Sequence, residues 1–491
     1  MALTQEHHRY NPWWGDTSAI QSDPHLSRMR KQEFTFRHSN PFDFTCDTVY
    51  TLRGPRQVGK TTFMKLLIEQ LIQEQEWNCQ RVLYLDVQGA GLNNQKSLQE
   101  SLLNFISFVR SGGNDGQLAI FLDEVTGITD WGTAIRTLYE QGKLENVTVL
   151  ATGSHALDVK RGGESMPGRR GAEEKLDWIM MPLSFGDYVR SMSEVVGLSL
   201  PEKIPTSEIA DQSQMFEKGT FLQNHAEILD SLWSRYLLTG GYPYAIENHL
   251  QHQQIEPHIY NQLRDAILEE VRKAGHDETY LREIVNWLIN KYLGKEFKWS
   301  TASNETEVGS KNTARNILEN AEAAYVWHIL YRQINIGPPD PALQSPKKIY
   351  SVDPLTWHTL HTWTLGAQDP WKETLSKIGD PDFLGTFVES IVGDHFCRQY
   401  GPFVLYYRDR KGRNEIDFLL YSSPSQFELV EVKYQNQIRD EARETIAANG
   451  GGVLVTKDTF ERYPDENVIS VPCYNFLTAT TKNLTLFPDI K

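Results

Sequence analysis

The stretch TVYTLRGPRQVGKTT, residues 48–62, decides the fold of this chain. Its first six residues are rich in β-branched and apolar side chains and predict a buried strand. The next eight, Gly54 to Thr61, fit the pattern GxxxxGK[ST] in full, and Phe63, Leu66 and Leu67 follow at helical spacing. This pattern requires a strand before the loop and a helix after it, so the sequence predicts a phosphate-binding loop.

The predicted loop offers a nucleoside triphosphate three kinds of contact. Glycines let the backbone N–H groups turn towards the phosphates, and the start of the following helix adds partial positive charge. Lys60 can reach the β- and γ-phosphates, and the Thr61 hydroxyl can bind Mg²⁺. A chance glycine turn is the alternative, which the flanking strand and helix disfavour. The predicted ligands are ATP and Mg²⁺, and the predicted binding residues are Gly54, Pro55, Arg56, Gln57, Val58, Gly59, Lys60, Thr61 and Thr62.

An apolar run that ends in two acids, LAIFLDE at residues 118–124, predicts the second half of the nucleotide site. A buried strand would carry both carboxylates to the sheet edge beside the phosphate loop. Asp123 would hold the magnesium shell, and Glu124 would orient or deprotonate the attacking water. Acid pairs at strand ends also cap helices, so this interpretation depends on the neighbouring loop.

Two further polar elements could act on the γ-phosphate. The strand Val147–Thr152 is followed by Gly-Ser, and polar residues at the carboxyl end of a parallel strand face the ligand crevice. Thr152 or Ser154 could therefore sense the γ-phosphate, with a satisfied turn hydroxyl as the alternative. Arg169 and Arg170 lie on a glycine-rich loop. Either could act as an arginine finger on the γ-phosphate of its own or a neighbouring subunit. Solvated loop arginines are the alternative there.

The C-terminal part predicts a second site. Asp417 and the Glu431-x-Lys433 pair lie on successive predicted strands, and Glu389 lies on the helix before them. Glu431 and Lys433 share one face of their strand, and Asp417 joins them if the two strands pair in register. Asp417 and Glu431 would then bind Mg²⁺ or Mn²⁺, while Lys433 would position water or stabilise developing charge.

The residues before these acids favour a nucleic-acid partner. They form a basic and aromatic patch on an acidic chain, which suits a phosphodiester backbone. The alternatives are a solvated strand face with alternating charge, and a similar fold without catalytic activity. The patch consists of Tyr406, Tyr407, Arg408, Arg410, Lys411 and Arg413.

Composition restricts the partners. The net charge of −15 confines any nucleic-acid contact to local basic patches. The longest apolar runs are too short to span a bilayer, so no membrane partner is expected. The four cysteines form no CxxC pair, and the N-terminus lacks a secretory pattern, which together predict a reducing cytoplasm.

The motifs GPRQVGKTT, LDEVTGITDW, ATGSHALD, PGRRG, PLSFGDYV and GGYP occur in this order along the chain. Because of these motifs and their order, the chain resembles a large family of bacterial and archaeal AAA+-type P-loop ATPases, over about residues 48–457. The resemblance implies the nucleotide roles given above, and it matches Ser154 and Arg169 to the family's TGS turn and glycine–arginine step. The C-terminal acids resemble the motif of PD-(D/E)xK nucleases, except that no proline precedes Asp417.

The predicted fold class is α/β in several parts, because strands alternate with helices in the first third and follow a helix in the last. We expect an N-terminal extension of open role (1–45), a P-loop ATPase core (46–190) and a helical segment (191–275). These precede a module that resembles a winged helix (276–345) and a restriction-endonuclease-like α/β domain (346–491). The segment Ser310–Ala323 would be the module's second helix, with packing or protein contact favoured over DNA readout.

Two functions are compatible with these features. The leading one is ATP-dependent nucleic-acid processing, in which hydrolysis licenses metal-dependent phosphodiester cleavage. The alternative is an ATP-driven regulatory switch whose C-terminal domain binds a partner and cleaves nothing. A homo-oligomer is compatible with either function.

Overall fold

The computed structural model describes residues 5–153, 156–198, 200, 209, 211–273, 278–412, 414–436, 440–480 and 485–490. The chain divides into two compact units. The first comprises Met1–Met181 with Leu486–Asp489, and the second comprises Pro182–Thr485 with Ile490–Lys491. No helix among the described residues is long and apolar enough to cross a membrane.

The first unit is built on a six-stranded sheet. Its strands are β1 (Thr48–Arg53), β2 (Val82–Asp86), β3 (Leu118–Asp123), β4 (Val147–Thr152), β5 (Asp177–Met180) and β14 (Leu486–Pro488). Their order is β14-β5-β1-β4-β3-β2, and β1 to β5 run parallel while β14 pairs antiparallel with β5. The strands predicted at 48–53, 118–123 and 147–152 are all present, so the parallel α/β sheet is confirmed. Strands β5 and β14 were not predicted.

The helices of this unit cover the sheet and bury it. They are α1 (Gln5–Tyr10), α2 (Pro24–Met29), α3 (Lys60–Glu69), α4 (Gln95–Ser111), α5 (Trp131–Glu140) and α6 (Ala156–Glu164). Every residue of β1, β3 and β4 is buried, as expected for a parallel sheet covered on both faces. One apolar cluster joins α4 and α5 to β2, β3 and β4. Short 3₁₀ segments occur at Pro12–Trp14, Thr17–Ser22, Cys79–Arg81 and Val125–Gly127, and Gln70–Glu74 continues α3 as a π-helical turn.

The N-terminal segment, residues 5–45, contacts the outer edge of β2 through residues 11–14. The indole N–H groups of Trp13 and Trp14 both donate to the Val82 carbonyl, at 3.2 and 3.0 Å. The Asn11 carboxamide donates to the Tyr84 carbonyl at 2.9 Å and accepts from the Tyr84 N–H at 2.6 Å. Side chains thus satisfy an edge that would otherwise be open to pairing with another strand. The segment that the sequence left without a role is part of the first unit.

The second unit is built on an eight-stranded mixed sheet. Its strands are β6 (Trp327–Gln333), β7 (Lys347–Ser351), β8 (Val404–Arg408), β9 (Glu415–Ser423), β10 (Gln426–Lys433), β11 (Gly452–Thr456), β12 (Glu461–Tyr463) and β13 (Val468–Pro472). Their order is β12-β13-β11-β10-β9-β8-β6-β7. The central pair, β9 and β10, is antiparallel, and Val430 lies opposite Phe418. The two successive strands predicted to carry Asp417 and the Glu431–Lys433 pair are present as β9 and β10.

The second unit contains the remaining helices. They are α7 (Phe185–Val196), α8 (Gln212–Gln223), α9 (Ala226–Thr239), α10 (Pro243–His252), α11 (Pro257–Lys273), α12 (Glu278–Trp287), α13 (Trp299–Glu305), α14 (Lys311–Ala323), α15 (Pro354–Leu365), α16 (Pro370–Ile378), α17 (Pro381–Tyr400), α18 (Asp440–Ala448) and α19 (Cys473–Thr480). Ser310 caps α14, whose bounds match the expected helix. After α14, β6 pairs with β7 and β8, so a strand from the segment 276–345 belongs to the same sheet as the C-terminal strands.

Candidate functional sites

The loop between β1 and α3 has the backbone that a phosphate loop needs. Gly54 has φ 143°, and a Cβ there would lie 1.9 Å from the Met180 carbonyl oxygen of β5. Gly59 has φ 102° and precedes α3. Both backbone conformations favour glycine, and at Gly54 the neighbouring strand leaves no room for a side chain. The loop therefore leads directly into the start of a ten-residue helix, where exposed N–H groups can receive an anion.

Lys60, the first residue of α3, curls back over this loop. Its Nζ donates to the carbonyl oxygens of Gly54 and Pro55, at 2.9 and 2.8 Å. The side chain is largely buried. The loop thus holds a cation at its rim, where phosphate oxygens could replace the two carbonyls as acceptors.

The carboxylate of Asp123, at the end of β3, accepts hydrogen bonds from α3 and from β2. Its Oδ2 accepts from the Thr61 hydroxyl at 2.7 Å and from the Tyr84 hydroxyl at 2.9 Å, while its Oδ1 accepts from the Glu124 N–H at 3.1 Å. Burial raises the pKa of Asp123, which the Thr61 hydrogen bond partly offsets. The donor set fits Mg²⁺, because the Thr61 proton points at Asp123 and leaves hydroxyl lone pairs for a hard cation.

Tyr84 was not among the predicted site residues. It lies on β2 opposite Phe121 of β3, which brings its hydroxyl to the end of the neighbouring strand. A hydroxyl within an otherwise aliphatic strand, VLYLD, was the available signal. Burial, and then the adjacent Asp123 carboxylate, raise the pKa of Tyr84, so its hydroxyl stays protonated as a donor.

Glu124 follows with φ 51°, in the left-handed region that a non-glycine residue rarely adopts. The chain therefore turns sharply directly after Asp123, and a 3₁₀ segment follows at Val125–Gly127. Backbone strain of this kind costs about 1–3 kcal/mol and is often found at functional sites.

Two further residues were predicted at the end of β4. Thr152 is buried, and its hydroxyl has no hydrogen-bond partner among the residues that the structure describes. Ser154, the predicted γ-phosphate sensor, lies outside the described residues.

The two arginines of the glycine-rich loop occupy different environments. Arg170 is buried, pairs with Asp177 at 2.8 Å, and donates to the carbonyls of Val49 and Leu176, each at 3.0 Å. The expectation that Arg170 acts as a finger is therefore wrong: its guanidinium is fixed inside the unit against β1 and β5. Arg169 is partly exposed and pairs with Glu140 at 2.8 Å.

In the second unit, the structure brings Asp417 and Glu431 together across β9 and β10. Asp417 N–H donates to Glu431 Oε2 at 3.0 Å, and Asp417 Oδ2 accepts from the Val432 N–H at 3.0 Å. The Lys433 ammonium contacts Glu431 Oε1 and lies 3.8 Å from Asp417 Oδ2. The predicted trio thus forms one buried ion-pair network.

Lys348, a residue that the sequence analysis missed, links this trio to Glu389. Its Nζ lies 3.2 Å from Glu389, 2.8 Å from Glu415 and 3.4 Å from Asp417. Lys348 is on β7 and only 3% exposed. The buried lysine therefore lies among three carboxylates. We call Lys348, Glu389, Glu415, Asp417, Glu431 and Lys433 the carboxylate–lysine cluster.

The two lysines and burial act on the carboxyl groups in opposite directions. Although burial opposes it, the ammonium groups of Lys433 and Lys348 lower the pKa of Asp417. Burial and the Asp417 charge raise the pKa of Glu431 to about 8, and the same two causes raise that of Glu389 to about 7. The cluster thus concentrates strongly perturbed groups, which is common at functional sites.

The donor chemistry of Asp417 and Glu431 suits a hard divalent cation, but lysine ammonium groups contact both carboxylates. Within the described ranges, the only group of three or more ligand atoms close enough for a metal ion is the partly exposed set Asp43, Cys46 and Glu173. A cation at Asp417 would have to replace the Lys348 contact.

The predicted basic patch is only partly available to a partner. Tyr406 is buried and bonds Glu296, and Arg408 pairs with the same carboxylate at 2.6 Å. Arg410 and Lys411 are exposed on the turn between β8 and β9, and Tyr407 is half-buried. Arg413 lies outside the described residues.

Three segments of the chain match protein families, and the function of one of these families is described. Residues 47–189 match a family described as an AAA domain. The segment that carries the phosphate loop and LDE is therefore a P-loop ATPase domain, and ATP with Mg²⁺ is the ligand that this implies. Residues 230–365 and 384–474 match two domains of unknown function, DUF8612 and DUF4143.

The chain also has distant likenesses among solved structures, and no curated protein matches it. It is 15% identical to PCH-2 of C. elegans, with a TM-score of 0.22, over 40% of this chain and 47% of that one. It is 10% identical to Aeropyrum pernix ORC2 with ADPNP and ADP (TM-score 0.34; 72% and 93% covered). It is 9% identical to Aeropyrum pernix ORC1 in complex with DNA (TM-score 0.28; 76% and 95% covered). Likenesses this distant carry no argument about function.

Proposed function

We propose that the nucleotide site of this ATPase is formed by the loop from Gly54 to Thr62 with Asp123 and Glu124. Lys60 binds the β- and γ-phosphates, and the Thr61 hydroxyl with Asp123 holds Mg²⁺, which neutralises phosphate charge when bound. Glu124 orients the attacking water. The arrangement that supports this is the Thr61–Asp123 hydrogen bond at 2.7 Å directly after a loop rimmed by the Lys60 ammonium.

We propose further that ATP turnover licenses nucleic-acid cleavage by a restriction-endonuclease-like domain in the second unit. The observation that carries this proposal is the convergence of Asp417, Glu431 and Lys433 on one face of paired strands, with Glu389 joined through Lys348. Carboxylates beside a lysine can hold a divalent cation and stabilise a charged phosphoryl transition state. Arg410 and Lys411 offer exposed positive charge for a phosphate backbone.

Asp417→Asn and Lys433→Met should each remove Mg²⁺- or Mn²⁺-dependent cutting of DNA or RNA, while ATP hydrolysis stays within about twofold of wild type. The first change weakens a cation ligand and the second removes the cation that offsets developing charge, a loss of about 10²–10³-fold in rate. Cleavage of single-stranded, duplex and branched DNA and of RNA is measured with and without ATP.

Glu428→Gln is the matched control for this test. Glu428 is a buried carboxylate on the same strand, β10, but an odd number of residues from Glu431 and Lys433 puts it on the opposite face. Its variant should cut as wild type does. If wild type cuts none of these substrates with either metal, or if the Asp417 and Lys433 variants cut as well as wild type, the nuclease proposal is wrong.

A regulatory switch without cleavage is the second candidate, and Lys348 favours it. A buried ammonium within reach of three carboxylates can hold the cluster together without a metal ion. In that case ATP turnover changes how the second unit binds a partner. This candidate predicts two results: wild-type protein cleaves none of the substrates, and Asp417→Asn lowers the free energy of unfolding.

Arg170→Ala should destabilise the first unit, whereas Arg169→Ala should not. Losing Arg170 leaves the mostly buried Asp177 carboxylate without its guanidinium partner, with the Thr51 hydroxyl as a remaining donor, at a cost of about 3–5 kcal/mol. The exposed pair of Arg169 with Glu140 is worth at most about 1 kcal/mol. Urea unfolding measures both free energies of unfolding.

We propose Arg169 as the arginine finger for a neighbouring copy of this chain. Arg169→Ala should therefore lower the ATPase rate while the free energy of unfolding stays unchanged. A wild-type rate would contradict that role.

A further inference from the structure

The N-terminal segment reaches the nucleotide site through Tyr84. The Tyr84 hydroxyl donates to Asp123 Oδ2, the same oxygen that accepts from Thr61. The carboxylate is therefore oriented from two sides, by α3 and by β2. Among the described residues, the Asp123 carboxylate accepts hydrogen bonds from these two hydroxyls and from the N–H of Glu124. Removing the Tyr84 hydroxyl would leave Oδ2 with Thr61 as its remaining hydroxyl donor among the described residues.

Asn11 fixes the backbone of Tyr84 from the outer side of the sheet. Its carboxamide makes both hydrogen bonds to Tyr84, one to the carbonyl and one from the N–H, that a neighbouring strand would make. Asn11 is itself buried, and its carboxamide also donates to the His7 carbonyl at 2.7 Å. Because β2 is the outermost strand, its position at Tyr84 depends on the N-terminal segment on one side and on β3 on the other.

The ring of Tyr84 also has a contact that fixes its position. The ammonium of Lys65 lies 3.3 Å from the ring centroid, within the range of a cation–π contact. Lys65 is on α3, four residues after Thr61, and pairs with Asp23 of the N-terminal segment at 3.3 Å. The segment thus meets Tyr84 at the backbone through Asn11 and at the ring through Asp23 and Lys65.

We propose that Tyr84 is a positioning residue for the magnesium site, and that Asn11 of the N-terminal segment sets its position. The inference rests on the proposed role of Asp123. Tyr84 acts by orienting the Asp123 carboxylate, which in turn holds the Thr61 hydroxyl with its lone pairs turned to the cation. Docking of the segment against β2 therefore sets the affinity of the site for Mg²⁺ with ATP.

Tyr84→Phe removes only the hydroxyl and is the direct test. We expect the Mg²⁺ concentration for half-maximal binding of a fluorescent ATP analogue to rise about 10- to 100-fold, the loss expected for a hydrogen bond to a charged group. Binding of the analogue in EDTA should be unchanged, because Tyr84 acts on the cation and not on the phosphate loop. Tyr50→Phe is the matched control: Tyr50 is equally buried on β1, but its hydroxyl accepts from the Asp43 N–H.

Asn11→Ala should raise the same Mg²⁺ midpoint, although its side chain lies on the outer edge of the sheet. The double variant Tyr84→Phe with Asn11→Ala should have the midpoint of Tyr84→Phe alone, since Asn11 acts through that hydroxyl; independent effects would add instead. Thermal unfolding of each variant is measured beside binding. A lower melting temperature with an unchanged Mg²⁺ midpoint in Tyr84→Phe would mean a structural role only and would overturn the inference.

Asp123→Asn distinguishes this inference from the proposed nucleotide site. If Asp123→Asn leaves the Mg²⁺ midpoint unchanged, the assignment of the magnesium site is wrong. If Asp123→Asn raises the midpoint and Tyr84→Phe does not, the nucleotide site stands and the positioning role of Tyr84 is overturned.

Discussion

Lys60→Ala is expected to lower ATP hydrolysis by about 10³-fold, which is the larger end of what one transition-state cation contributes. The Lys60 ammonium rests on the carbonyl oxygens of Gly54 and Pro55, so the cation is already at the rim of the loop before phosphate arrives. Without it the γ-phosphoryl charge loses the cation that we propose binds it. Steady-state phosphate release and equilibrium binding of an ATP analogue measure the two losses, and binding should also weaken strongly.

Lys143→Ala is the control for a general loss of positive charge. Lys143 is exposed after α5 and should give wild-type turnover. Far-UV circular dichroism checks that the Lys60 variant keeps its fold. Normal turnover by folded Lys60→Ala protein would remove the assignment of the phosphate site.

Glu124→Gln is expected to abolish turnover, again by about 10²–10³-fold or more, while ATP affinity stays within about threefold of wild type. In the proposed site, binding requires the phosphate loop, Lys60 and the cation, whereas hydrolysis also requires the Glu124 carboxylate that orients water. At Glu124 the backbone has φ 51°, so the chain turns sharply directly after Asp123. Single-turnover hydrolysis and analogue binding separate the two steps.

The neighbouring Asp123→Asn supplies the contrast. Asp123 contacts Thr61 and Tyr84 and should affect Mg²⁺-dependent binding first. Equal losses of affinity in the Glu124 and Asp123 variants would mean that Glu124 holds structure or metal and not water.

The phosphate loop and its sheet could be predicted because their signals are local. A run such as 48–53 or 118–123 contains its own apolar pattern, and the loop follows its strand without interruption. The convergence of Asp417, Glu431 and Lys433 followed from strand periodicity and one hairpin register. These features need few residues and short separations in sequence.

Contacts between distant segments could not be predicted in the same way. Lys348 reaches Asp417 from a strand 69 residues earlier, and Asn11 reaches Tyr84 across 73 residues. No local sequence pattern around Lys348 or Asn11 predicts these partners. Arg170 shows the opposite error: a loop rich in glycine predicts exposure, but an acid on the next strand, Asp177, draws the guanidinium into the interior.

The last strand of the first unit has a consequence for how the protein is made. β14 pairs with β5, and Asp489 forms an ion pair with Arg53, the residue directly before the phosphate loop. These residues follow Met181 by roughly 300 positions. At roughly 5–20 residues per second, a ribosome needs roughly 15–60 s to supply them. During that interval the nascent ATPase unit has an open edge at β5 and Arg53 lacks Asp489, so the nucleotide-binding unit is completed only after the second unit has been translated.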